Sequence, residues 1–116
     1  MARARAKAGD RSALGFVVAD AGDPPLTEGA YDVVLCRHVL WALPDQPGVL
    51  RRWIRLLGEG GRLLLVEGSW HTGAGLTATR TAALLRDTGR TPTTYRLDDP
   101  VYWGGPIRDE RYLVVA

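Results

Sequence analysis

The sequence has one cysteine, Cys36, which excludes an intramolecular disulfide and any cysteine-rich zinc site. No apolar run approaches the roughly 18 residues that cross a bilayer. The basic start, MARARAKA, lacks the apolar segment of a secretory signal. The expectation is a cytoplasmic chain without a membrane partner. The excess of cations is small, since 15 of them against 13 anions leave a net charge of +2. Much of the basic character sits in Arg3, Arg5, Lys7 and Arg11, with no aromatic interleaving. That pattern fits a solvated helix face, and no nucleic-acid partner is expected. There is no catalytic triad, no metal-spaced His/Glu pair and no phosphate-loop lysine, so no metal is expected. A G-x-G-x-x-G turn after a strand is absent too. Gly58, Gly60 and Gly61 follow a helical pattern and precede a strand, the wrong context for binding phosphate.

What remains is an ordinary soluble composition, 46% apolar and 24% charged. At 116 residues the chain is one domain at most. It is organised around Tyr31 to Trp41, YDVVLCRHVLW. Val33, Val34 and Leu35 form a short apolar run that fits a strand buried on both faces. Cys36, within it, reads as a buried, inert thiol. The run gives way to Arg37 and His38, at the strand end where open α/β sheets place ligand contacts.

MARARAKA reads as a helix that stops at Gly9. LGFVVA (14–19) reads as a strand, closed by Asp20 and a Gly/Pro turn. After Pro44, Asp45 caps a helix whose first turn holds Pro47. Val49, Leu50, Trp53, Ile54, Leu56 and Leu57 share its apolar face, opposite Arg51, Arg52 and Arg55. Gly58, Gly60 and Gly61 stop it. RLLLV (62–66) is a further buried strand ending at Glu67, and the crossover from Leu35 is long enough for a right-handed strand–helix–strand unit. A weaker helix spans 76–88, a strand 93–97 and a last strand 112–115. Trp103 to Pro106 falls in an aromatic, glycine-rich loop.

Parallel strands would bring Asp20, Ala21, Cys36, Arg37, His38, Glu67, Ser69 and Trp70 to one edge. Four candidates admit two readings each. Asp20 is an acceptor for an exocyclic amine or a turn cap. His38 is a ligand contact or weak base, or a structural histidine. His71 is a second candidate or a solvated loop residue. Glu67 orients a substrate or pairs with a neighbouring arginine.

Three segments together resemble the later part of a class I S-adenosylmethionine-dependent methyltransferase. FVVADAGDPPL (16–26) is similar to that family's third-strand segment. YDVVLCRHVLWALPD (31–45) resembles its fourth strand and the helix start that lines the cofactor. LLGEGGRLLLVE (56–67) resembles the glycine turn before its fifth strand, and WGGPIRDERYLVVA (103–116) the closing antiparallel hairpin. The resemblance implies an α/β fold, Rossmann-like, with a mostly parallel sheet flanked by helices. It implies S-adenosyl-L-methionine as cofactor, held by Asp20, Ala21, Cys36, Arg37 and His38. The acceptor, a small molecule, would lie beside Glu67 and Trp70, and His38 and His71 are the candidates for proton transfer. The family's glycine-rich first strand and the second-strand acid that holds the ribose have no counterpart here, and MARARAKAGD resembles the helix after that acid. A chain begun at an internal methionine is therefore expected, a truncated methyltransferase domain over 1–116 that binds cofactor poorly and shows no useful activity alone. The family's strand order, 3-2-1-4-5-7-6, would leave YDVVLC as an open edge, which pairs with LGFVVA, recruits a second copy as a dimer, or stays exposed. The competing readings are a non-catalytic α/β module and another Rossmann-type nucleotide-binding fragment.

Overall fold

The computed structural model describes residues 2–10, 13–70, 72–99, 101, 104 and 109–116. Helix α1 (Ala2–Ala8) precedes strand β1 (Tyr31–Arg37), a 3-10 turn (Leu40–Ala42) and helix α2 (Gln46–Leu56). Strand β2 (Leu57–Ser69), helix α3 (Ala78–Asp87) and strands β3 (Thr93–Arg96) and β4 (Glu110–Val115) complete the order. The four strands form one sheet in the order β1-β2-β4-β3. β1 and β2 run parallel, while β4 is antiparallel to both β2 and β3. This is the Rossmann-like α/β fold with its closing antiparallel hairpin. The sheet is mixed, with one parallel pairing among the described residues.

Local chemistry explains α2. The Asp45 carboxylate accepts the Gly48 N–H at 3.2 Å and Pro47 sits in the first turn, which satisfies a donor the helix cannot. Val49, Leu50, Trp53 and Leu56 are buried, with Ile54 and Leu57 packed partly against them. β2 supplies the matching surface through Leu63 and Leu65, and β4 through Tyr112 and Val114. Leu84 and Leu85 of α3 join the same cluster. Both helices thus cover one face of the sheet.

β2 is longer than RLLLV at both ends. Its register advances five residues, Leu57 to Arg62, while β1 advances two, Tyr31 to Val33. The surplus forms a bulge. Gly60 takes φ +73, and a Cβ on Gly61 would lie 2.9 Å from the Gly58 carbonyl oxygen and 3.0 Å from that of Tyr31. The glycines therefore stop the helix and also let the strand start at once beside Tyr31.

Two expectations are corrected. LGFVVA is not a strand. Residues 14–20 have no regular structure, and Leu14, Val17 and Val18 are 50%, 59% and 83% exposed. Its apolar run meets no neighbouring strand among the described residues, and a strand needs one to satisfy its backbone. β1 is also not buried on both faces. Val34 and Cys36 pack on the core, but Val33 and Leu35 are 55% and 64% exposed. No described strand pairs with its other edge and no described helix covers its outer face. His71, Trp103, Gly105 and Pro106 lie outside the described residues.

Candidate active site

The carboxyl ends of β1 and β2 meet around a bend. β1 ends at Arg37, and His38 turns the chain with φ +56, the one non-glycine in the left-handed region among the described residues. Such backbone concentrates at functional sites. The His38 N–H still donates to the Val66 carbonyl at 2.9 Å, extending the ladder by one bond. The Leu40 N–H donates to Glu67 Oε1 at 3.0 Å. The Trp41 indole N–H donates to the His38 carbonyl at 3.2 Å, and the Gln46 amide reaches the carbonyls of Leu40 and Trp41 at 3.3 Å each.

Electrostatics follow burial. Glu67 is 0% exposed, and desolvation pushes its carboxyl up to about 7, against the backbone N–H groups near it. Oε2 has no hydrogen-bond partner among the described residues, which disfavours the charged form further. Burial and the Glu67 charge push the Cys36 thiol up to about 11, so it stays protonated and inert. Burial, then the charges of Arg37 and Arg111, lower the His38 imidazole below its ordinary 6.5. It is neutral at pH 7, the state that accepts a proton.

Trp70 joins this bend to β4. Its ring stacks on His38 with centroids 5.3 Å apart and planes 7° from parallel. The Arg111 guanidinium lies over the same indole, 4.0 Å from its centroid, a cation–π contact. Gly68 permits this, since a Cβ there would meet the Trp70 ring at 2.5 Å. Asp109 pairs with Arg111 at 3.5 Å.

The 20–22 turn is tied to α2. The Trp53 indole N–H donates to the Ala21 carbonyl at 2.8 Å, and Arg52 Nε donates to the Gly22 carbonyl at 2.6 Å. Asp20 Oδ1 accepts the Gly22 N–H at 2.9 Å, so the carboxylate does cap its turn. Between this turn and β1 lies an apolar groove of about 280 Å³, lined by Ala21, Pro24, Val34, Cys36, Val39 and Trp53 among others.

The structure therefore brings Ala21 and Cys36 to one groove, and His38 and Trp70 to one stack. Arg37 is exposed beside them. Glu67 is enclosed, holding a backbone amide of its own chain. Arg111 was missed because its contact with Trp70 depends on strand register. The Trp53 hydrogen bond to Ala21 was missed because periodicity marks only a core position. A tryptophan's single N–H donor is the signal that could have prompted the search for a partner.

The sequence model described as a methyltransferase domain matches residues 1–65. The chain belongs to the class I methyltransferase family. Among curated proteins none matches this chain. Solved methyltransferase structures include the Burkholderia thailandensis 1,6-didemethyltoxoflavin-N1-methyltransferase, with bound 1,6-didemethyltoxoflavin and S-adenosylhomocysteine. It is 21% identical with a TM-score of 0.72, covering 99% of this chain and 54% of that one. The methyltransferase CalH, in complex with SAH, is 20% identical with a TM-score of 0.73, covering 99% of this chain and 38% of that one. The [4+2]-cyclase SpnF is 15% identical with a TM-score of 0.74, covering 98% of this chain and 59% of that one. At these identities the likeness is one of fold. This methyltransferase-family chain thus spans between 38% and 59% of the length of those three chains. No helix among the described residues is long and apolar enough to cross a membrane.

Proposed function

We propose that the chain contributes the adenine and methionine side of an S-adenosylmethionine site and serves methyl transfer to a small-molecule acceptor. The observation that carries this reading is the apolar groove joining Ala21 of the 20–22 turn to Cys36 and Val39 at the end of β1. Its apolar walls suit a base and a thioether chain, and the adjacent Asp20 carboxylate suits an exocyclic amine. Arg37 and His38 complete the cofactor side. Trp70 lies on the acceptor side, with His38 beside it as the group that takes a proton. Glu67 serves the acceptor side from within, without touching it. Bound cofactor supplies an electrophilic methyl group on a sulfonium, and catalysis then rests mainly on positioning. A shared fold does not set the chemistry, and the cyclase among the structural neighbours is a reminder of that.

These 116 residues hold no glycine-rich strand–helix turn, and no second-strand acid for the ribose. Two charge-assisted hydrogen bonds lost with that acid, at about 1.5–3 kcal/mol each, weaken binding by roughly two orders of magnitude or more. Millimolar affinity and little activity are expected of this span by itself. Asp20→Asn keeps the acceptor for the Gly22 N–H and removes the charge. It is expected to weaken S-adenosylhomocysteine binding by roughly 0.5–1.5 kcal/mol in an NMR titration. Unchanged affinity would leave Asp20 as a turn cap only. A second reading, an interaction module that pairs through β1, is favoured by the bare edge and outer face of that strand.

A further inference from the structure

Glu67 is the one carboxyl among the fully buried side chains of the described core. It faces inward from β2 opposite Tyr112, one residue after Val66. The Val66 carbonyl takes the His38 N–H at 2.9 Å, and Glu67 Oε1 takes the Leu40 N–H at 3.0 Å, across 27 residues of chain. Two consecutive residues of β2 thus hold the backbone on both sides of Val39. Between those anchors the chain makes its positive-φ bend at His38 and enters the 3-10 turn at Leu40. The first N–H groups of a helical turn have no partner within it. Leu40 is 0% exposed, so solvent does not replace the carboxyl as acceptor.

We propose that Glu67 is a positioning residue, whose carboxyl, acting through the Leu40 amide, fixes the bend that lays the His38 imidazole on Trp70. The functional meaning of that placement rests on the reading above, while the coupling of Glu67 to His38 does not. Cys36 on β1 and Tyr112 on β4 are the titratable groups whose interaction with the carboxyl is felt. Both are pushed upward by burial and stay protonated through neutrality. Arg37 and Arg111 are the cations whose charge His38 feels. Glu67 is therefore the group of this cluster that titrates near pH 7, while burial and the neighbouring arginines hold His38 below its ordinary value.

An NMR pH titration of the whole 116-residue chain, with no cofactor present, tests the coupling separately from the cofactor reading. The Leu40 amide is expected to move with a midpoint near 7. The His38 ring protons are expected to inflect at that midpoint in addition to their own, lower one. Glu67→Gln keeps a carbonyl acceptor, so it should preserve the ring-current shift of His38 and abolish the shared inflection. Glu67→Leu removes the acceptor, so the Leu40 amide should exchange roughly tenfold faster and the His38 ring protons should lose their ring-current shift. Wild-type His38 protons without an inflection at the Leu40 midpoint would overturn the proposal, and that result needs no variant to fold. A folded Glu67→Leu chain with wild-type Leu40 exchange and wild-type His38 ring shifts would overturn it equally.

Discussion

Burial lifts the Glu67 carboxyl from 4.5 to about 7, so the folded chain holds that proton more tightly than the unfolded chain does. Between those two values the folded state binds more protons, and stability falls as pH rises. The loss from this residue is complete above the folded value and amounts to about 3 kcal/mol. Denaturant unfolding followed from about pH 4.5 to pH 8 should show the decline in the wild type and a flatter profile in Glu67→Gln. A wild-type stability that climbs across the same window would contradict the burial of this carboxyl. The sequence singled out Glu67, but as a substrate contact or an arginine partner. Its true partner, the Leu40 amide, depends on the β1–β2 register. Trp70 was likewise legible as a strand-end residue, whereas its stacking needs the glycine at Gly68 and an arginine from β4.

At the scale of elements, α2 was legible because cap, proline and apolar spacing all agree on one helix. Trp53 belongs to its buried face at 4% exposure and also anchors the 20–22 turn through its indole N–H. Trp53→Ala is expected to cost about 3–5 kcal/mol in chemical denaturation. A change under about 0.5 kcal/mol would mean that neither the packing nor the anchor holds. α1, α3, β3 and β4 also fall close to their expected bounds. LGFVVA does not follow its composition. An apolar run becomes a strand only when another strand takes its hydrogen bonds, and local sequence cannot show whether that neighbour is there. Gly58–Gly61 was legible as a helix stop and a turn before the next strand, but not as a bulge, because its close approach to the Tyr31 carbonyl is made only once β1 lies alongside.

For the molecule as a whole, α2 and α3 cover one face of the sheet, and the described residues leave β1 bare on its outer face. Val33 and Leu35 expose apolar surface beside an unpaired strand edge, a combination that favours association. Sedimentation over a range of concentrations should show self-association of the chain, and Leu35→Lys should abolish it at a stability cost of about 0.5 kcal/mol or less. A monomer at every concentration would remove the edge as an interface. The family was legible in the order of three motifs, none of them sufficient alone. Amide chemical-shift mapping with S-adenosylhomocysteine at millimolar concentration tests the groove between the 20–22 turn and β1 as the cofactor site. Saturable shifts confined to residues 20–22 and 36–39 and to the Trp53 indole are expected. Shifts clustered instead around β3, or none at millimolar ligand, would contradict it.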